Sequence, residues 1–265
     1  MRKYYVIGNP IDHSISPKIH NYWFKENNIK AVYEKIKLSE NELEDFVKKV
    51  RNNKIDGINV TVPFKEKIIK FVDELTNEAK EANSVNTIYL SDNKIIGHNT
   101  DIVGFYLSLH DKKIDFKKNK TLILGSGGVT PSIIIALKRL GAENITITNR
   151  TKEKALKLKE RFHDLEILEW GKAVDAKIVI NTTSLGLNEK DNIELDQKIY
   201  SPNSFFYDLI YKPSETNFLK KARGEMCMVQ NGLMMFIYQA SEAFKTWHKI
   251  NPKINENLIN FLKND

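Results

Sequence analysis

The chain has 265 residues, 41% of them hydrophobic, and 41 Lys+Arg against 34 Asp+Glu leave a formal charge of +7. That is enough apolar material for two modest domains, and it excludes a disordered or fibrous chain. The single cysteine, Cys227, excludes an intrachain disulfide framework, and the six histidines lack the one-turn pairing of zinc-binding helices, so no metal is expected.

Residues 1–12 lack the apolar run of a secretory signal. Nowhere does the chain approach the roughly 18–20 apolar residues that span a bilayer, so a cytoplasmic protein without membrane insertion is expected. Tyr4-Tyr5-Val6-Ile7 predicts a buried strand that stops at Gly8-Asn9-Pro10. Ser16-Pro17 predicts a helix start, because proline's fixed φ suits the first helical position. A second strand is expected over 32–36. Ser39 and Glu42 then form a capping box ahead of Leu43, Phe46, Val47 and Val50, which recur at helical spacing. Residues 57–62 read as a strand closed by Pro63, and 85–90 with 94–97 as a hairpin about Ser91-Asp92-Asn93. The stretch 100–120 is the expected domain junction. Its lysines are the densest in the chain, but Asp111 and Asp115 interrupt them, which fits a solvated surface better than a nucleic-acid patch.

Beyond the junction, strands over 121–124, 144–148, 177–180 and 205–207 alternate with helices, one stopped by Gly141 and one over 151–162. Short apolar strands in such alternation predict a parallel sheet covered on both faces. A last helical pattern over 233–247 is expected to return to the first domain.

Gly125, Gly127 and Gly128 lie between an apolar strand and an amphipathic helix. Glycine there lets the backbone approach a pyrophosphate whose charge the helix start stabilises, although Thr130 stands where the usual fingerprint has its third Gly or Ala. The end of the next strand decides the cofactor. An NAD site places a carboxylate there for the ribose hydroxyls, whereas this chain has Asn149-Arg150-Thr151 followed by Lys154, groups suited to a 2′-phosphate, so NADP(H) is expected.

Four strings in the first hundred residues place small polar groups at strand ends, where ligands of open sheets lie. They are Gly8-Asn9-Pro10 continuing through His13-Ser14-Ile15-Ser16-Pro17, then Asn59-Val60-Thr61-Val62-Pro63-Phe64-Lys65, then Val85-Asn86-Thr87, and Gly97-His98-Asn99-Thr100-Asp101. To these are added the glycine loop, Asn149-Arg150-Thr151, Asn181-Thr182-Thr183-Ser184-Leu185-Gly186, Asp208-Leu209-Ile210-Tyr211, and Asn231-Gly232-Leu233 leading to Met235 and Gln239-Ala240. With this ordered set the chain resembles the NADP-dependent shikimate dehydrogenase family nearly end to end.

The resemblance implies an α/β fold with an N-terminal substrate domain over 1–101, completed by helices in 233–265, and an NADP-binding Rossmann domain over 102–232. The implied activity is the reversible NADPH-dependent reduction of 3-dehydroshikimate to shikimate in aromatic amino-acid biosynthesis, in a cytoplasmic monomer or homodimer. Rival readings are a relative acting on quinate or an amino analogue, and a non-catalytic binding relative that would lack the catalytic dyad. Lys65 and Asp101 match that dyad. Hydride addition to a ketone builds negative charge on oxygen, which a cation able to donate a proton would stabilise, and how the two residues divide the acid–base role stays open. Ser14 and Ser16 match the pair that holds the substrate carboxylate, Tyr211 falls near it, and Asn59, Thr61, Asn86 and Gln239 fall around the ring hydroxyls. The cofactor positions are Gly125, Ser126, Gly127, Gly128, Val129, Asn149, Arg150, Thr151, Lys154, Thr183 and Gly232. The chain departs from the family pattern at Ile102 and Asn83, where Gly is common, and at Thr130-Pro131.

Overall fold

The computed structural model describes residues 1–172 and 174–263. It divides into two compact units, one of Met1–Gly104 with the residues from Ile237 onward, the other of Phe105–Phe236. The first unit contains β1 (Arg2–Gly8), α1 (Ser16–Glu26), β2 (Ala31–Lys37), α2 (Leu43–Arg51), β3 (Gly57–Val60), β4 (Glu74–Leu75), α3 (Asn77–Ala82), β5 (Thr87–Ser91), β6 (Lys94–His98) and the start of α4 (Asp101–Leu109). Its sheet runs β2-β1-β3-β5-β6-β4. Strands β2, β1 and β3 are parallel, whereas β5 is antiparallel to both β3 and β6, so this sheet is mixed rather than parallel. Local turn chemistry accounts for the reversal. Asp92 and Asn93 both adopt left-handed φ, the requirement of a two-residue hairpin, and left-handed Asn83 ends α3 where a glycine would otherwise serve.

The two faces of this sheet are covered differently. Leu43, Phe46, Val47 and Val50 of α2 join Ile7, Ile58, Val60, Ile88 and Ile95 in one mainly aliphatic core. The other face is aromatic, with Tyr4, His20, Trp23, Phe24, Tyr33, Phe244 and Trp247 in mutual ring contact. Phe244 and Trp247 belong to α8 (Leu233–His248), whose later turns complete this unit. Gly57 makes the docking possible, since a Cβ there would lie 2.4 Å from Trp247 Nε1, which donates to the Ile88 carbonyl at 3.2 Å. Helix α9 (Glu256–Lys263) packs on α1.

The second unit contains β7 (Thr121–Leu124), α5 (Thr130–Arg139), β8 (Ile145–Thr148), α6 (Lys152–Arg161), β9 (Glu166–Leu168), β10 (Ile178–Asn181), β11 (Phe205–Asp208), α7 (Asn217–Gly224) and β12 (Met228–Asn231). All its neighbouring strands are parallel, in the order β12-β11-β10-β7-β8-β9. Residues 130–137 of α5 are all buried, as expected of a helix apolar on every side. In the first sheet β2 and β3 lie on opposite sides of β1, and in the second β8 and β10 lie on opposite sides of β7. Such switch points open a crevice beyond the carboxyl ends of the strands. Among the described residues no helix is long and apolar enough to cross a membrane, and no group of three or more His, Cys, Asp or Glu could hold a metal ion.

Candidate active site

In the first unit, strand register gathers the polar strings at one sheet edge. Asn59 pairs with Thr87, and Thr87 with His98, so the end of β3, the start of β5 and the end of β6 lie side by side. Asn99 caps α4, its side-chain carbonyl accepting from the Asp101 and Ile102 amides at 3.0 and 3.2 Å. This places Asp101 in the first helical turn, where the dipole favours a carboxylate. Ile102 turns into the core and is fully buried. Lys65 Nζ donates to Asp101 Oδ2 at 2.6 Å, with side chains 12% and 6% exposed. Asn86 Nδ2 donates to Asp101 Oδ1 at 3.0 Å and to Thr100 Oγ1 at 2.9 Å, and its Oδ1 accepts from the Thr100 amide at 2.8 Å. Both carboxylate oxygens are therefore held, while Lys65 keeps two N–H bonds without a partner among the described residues.

Asn59 is bound as tightly. Its Nδ2 donates to the Asn86 carbonyl and to Thr87 Oγ1, each at 3.0 Å, and its Oδ1 accepts from the Tyr33 hydroxyl at 2.6 Å. Beyond β1, Ser14 Oγ donates to Ser16 Oγ at 3.2 Å, with both side chains half-buried. Thr61 is half-buried, and its hydroxyl has no partner among the described residues. Gln239 lies half-buried on α8 in the same unit.

In the second unit the loop after β7 has a different character. Gly125 sits at φ +107°, and a Cβ there would lie 2.7 Å from Thr182 Oγ1. Around Gly127 there is open space for 4 Å. Val129 precedes the first residue of α5, and Thr130, fully buried, donates to the Gly125 carbonyl at 3.3 Å while its hydroxyl meets Thr182 Oγ1 at 2.9 Å. Thr130 thus bridges loop and strand where a third glycine would bring them into contact. Ser126 Oγ is buried with no hydrogen-bond partner among the described residues. A glycine cradle with an orphaned hydroxyl beside a helix start fits the pyrophosphate of a dinucleotide.

After β10, Thr183 donates its amide and its hydroxyl to Asn181 Oδ1 at 3.0 and 2.7 Å, and Asn181 Nδ2 reaches Asp208 Oδ1 at 3.0 Å. Burial pushes the Asp208 carboxyl up to about 6. Gly232 allows a close backbone approach, since a Cβ would meet the Leu209 carbonyl at 2.0 Å. Tyr211 packs on Phe236 with ring centroids 4.9 Å apart. After β8, Asn149 Nδ2 donates to the Thr151 carbonyl at 2.7 Å, and Arg150, Thr151 and Lys154 are exposed, the two cations having no ion-pair partner among the described residues. A 2′-phosphate fits such unpaired cations.

The family model of the shikimate dehydrogenase substrate binding domain matches residues 6–88, and that of shikimate/quinate 5-dehydrogenase matches residues 108–190. The NADP(+) shikimate dehydrogenase of Pelagibacter ubique is 53% identical over 261 residues, 98% of each chain. The chain belongs to the shikimate dehydrogenase family. Among solved structures, the shikimate dehydrogenase of Aquifex aeolicus superposes with a TM-score of 0.91 at 35% identity, covering 100% of this chain and 98% of its own. The Thermus thermophilus shikimate 5-dehydrogenase, solved in complex with NADP(H) and shikimate, gives 0.87 at 31% identity over 96% and 95% of the two chains.

For this shikimate dehydrogenase family member, the structure brings Lys65, Asp101, Asn59 and Asn86 into one connected cluster, with Thr61 on the same edge. It groups Gly125, Ser126, Gly127, Gly128, Val129 and Thr183 at the second sheet's switch point. Three structural partners escaped sequence reasoning. Thr87 and Thr182 stand in quoted strings, so their proximity to the site was visible but their bonds were not. Tyr33 carries no signal at all, being one aromatic in an ordinary strand.

Proposed function

We propose that the chain catalyses the reversible reduction of 3-dehydroshikimate to shikimate with NADPH, acting on freely diffusing small molecules in the cytoplasm. The observation that carries this reading is the Lys65–Asp101 pair, nearly buried, bonded at 2.6 Å and held from behind by Asn86. A buried ion pair is weak evidence for stability, because the desolvation of both charges opposes their attraction, so its place beyond the ends of β3 and β6, among the polar strings, supports a chemical role.

Ser14 and Ser16 would bind the substrate carboxylate, hydroxyl donors being suited to an anion, and Thr61 offers an unpaired hydroxyl to the ring. When bound, the reduced nicotinamide supplies the hydride that the ketone carbon accepts. Lys65 stabilises the negative charge growing on the ketone oxygen and donates the proton through one of its two unpartnered N–H bonds. Asp101, with both oxygens occupied, acts by fixing the ammonium, and in shikimate oxidation Lys65 takes the hydroxyl proton back. Residues 125–129 would hold the pyrophosphate, and Arg150 and Lys154 the 2′-phosphate.

The decisive test is NADP+ reduction by the purified protein with shikimate as sole substrate, alongside quinate. Reduction with shikimate and an efficiency on quinate lower by orders of magnitude are expected, since a site built to pair substrate hydroxyls discriminates strongly against a mismatched one. Equal efficiency on both would defeat the narrower assignment.

A further inference from the structure

Asp208 is the last residue of β11, fully buried and without an ion-pair partner among the described residues. A carboxylate in such a place is costly unless donors surround it. Its two oxygens serve different parts of the unit. Oδ2 accepts from the Thr216 hydroxyl at 2.6 Å, and Thr216 is the N-cap of α7. Oδ1 accepts from Asn181 Nδ2 and from the Ile210 amide, each at 3.0 Å. Burial lifts the carboxyl to about 6, so at pH 8 it is ionised and can only accept.

That constraint fixes the Asn181 carboxamide. Asn181 and Asp208 are register partners at the ends of neighbouring parallel strands, and an acceptor-only neighbour obliges the carboxamide to turn Nδ2 towards it. Oδ1 is then left for the Thr183 amide and hydroxyl, while Nδ2 also donates to the Leu185 carbonyl at 3.0 Å. The turn after β10 is thus wound on one side chain. Ile210 is held on both sides, since its amide goes to Asp208 and its carbonyl accepts from the Gly232 amide at 3.2 Å. Thr183, Tyr211 and Gly232, three of the expected ligand positions, therefore border one network whose centre is Asp208.

The place of this network along the sheet indicates the part of the cofactor it serves. On one side of β7 and its glycine loop lies β8, which leads to Arg150 and Lys154, and on the other lie β10 and β11. Thr183 adjoins the loop, because a Cβ at Gly125 would lie 2.8 Å from Thr183 Cγ2. A dinucleotide with its pyrophosphate after β7 and its 2′-phosphate after β8 extends its nicotinamide half over β10 and β11. The phosphates need only the glycine loop and the exposed cations, whereas the reactive ring needs fixed walls.

We propose that Asp208 is a positioning residue for the nicotinamide half of the cofactor: by holding Asn181 and the Ile210 amide on one oxygen it fixes Thr183 relative to Tyr211, and so sets where the reactive ring meets the substrate. The proposal rests on the shikimate reading above.

The test is the Asp208→Leu enzyme, in which an apolar side chain of similar length accepts nothing. It is assayed at pH 8 for NADP+ reduction with shikimate, and titrated by calorimetry with NADP+ and with adenosine 2′,5′-bisphosphate, which lacks the nicotinamide half. A fall in kcat of about 100-fold is expected, the cost of a misplaced reacting group. NADP+ affinity should fall about tenfold while that for the bisphosphate stays within about twofold, a split that a general loosening of the unit would not produce. Asp208→Asn, whose carboxamide oxygen can still receive both donors, should keep kcat within about fivefold of wild type. Thr216→Val removes only the bond to Oδ2, so its urea midpoint should drop with kcat changed by less than about threefold. If Asp208→Leu does not fold, Asn181→Ala, which removes the other member of the pair, takes its place with the same expected split between NADP+ and the bisphosphate. Unchanged kcat in the folded variant, equal damage from Thr216→Val, or parallel loss of bisphosphate binding would overturn the proposal while leaving the activity intact. A wild-type enzyme inert towards shikimate would overturn both.

Discussion

The two sheet edges proposed to meet substrate and cofactor are built from different material. In the first unit, side chains bond to side chains, and Asn59, Asn86 and Asp101 have almost no hydrogen-bonding capacity left over. In the second, the loop after β7 is glycine backbone with an orphaned Ser126 hydroxyl, and the cations after β8 are exposed. Proton transfer and charge stabilisation demand reacting groups placed to a fraction of an ångström, which a saturated network enforces before substrate arrives. A phosphate needs close backbone approach and positive charge, which glycine and solvated cations supply without a network. The first edge should therefore fail as a unit, and the second piece by piece.

The strongest break in this contrast is Lys65→Ala. Loss of the proposed proton donor should lower kcat about 1,000-fold, while NADP+ binding measured by titration calorimetry stays close to wild type. Comparable loss of NADP+ binding would mean that the two edges are not separable.

Acid should also tell the two units apart, with opposite signs. Burial holds His20 down at about 3 and His248 at about 4, against an ordinary 6.5. Both must fold neutral, so their stability contribution is full above pH 6.5 and is lost as pH falls towards 3. The Asp208 carboxyl, raised from 3.8 to about 6, works in reverse: it favours folding below 3.8, and that advantage disappears as pH rises through 6. Urea denaturation at pH 7 and pH 4.5 should show His20→Phe narrowing the acid loss by about 2 kcal/mol. Asp208→Asn should shift the difference the other way, by about 1 kcal/mol. A shift of the same sign for both would contradict the assignment.

On the cofactor side, Gly125→Ala forces a left-handed backbone and a Cβ 2.7 Å from Thr182 Oγ1. NADP+ affinity should fall about tenfold, and KM for shikimate should not move. Arg150→Ala is milder, with NADP+ binding weakened several-fold and NADH unaffected, which a ratio of the two KM values reads directly. Smallest of all is Lys117→Ala, because the 3.4 Å pair with Glu143 is well exposed on both sides. Its unfolding free energy should match wild type within about 0.5 kcal/mol.

Much of this was legible in the residues. The capping box at Ser39 and Glu42 forms, and the hairpin turns at Asp92-Asn93. Strands β7, β8, β10 and β11 fall within the predicted apolar runs or extend them by one residue. Strands β4, β9 and β12 were not visible, being two to four residues long and without a fully buried residue. The two compact units divide at Gly104 and Phe236, inside α4 and α8, whereas sequence signals mark helix starts.

The sequence by itself determined the groups: which residues can donate, accept, carry charge or turn left-handed is covalent chemistry, and their order along the chain already separated a hydroxyl-and-amide half from a glycine-and-cation half. Only the tertiary structure decided which of those groups meet. Tyr33 and Asn59 are 26 residues apart and reach each other across β1, and Lys65 meets Asp101 because β3, β5 and β6 pair in one register. Local pattern cannot encode such pairings, since hydrogen bonds between distant side chains are fixed by strand order and register, which the whole core selects at once.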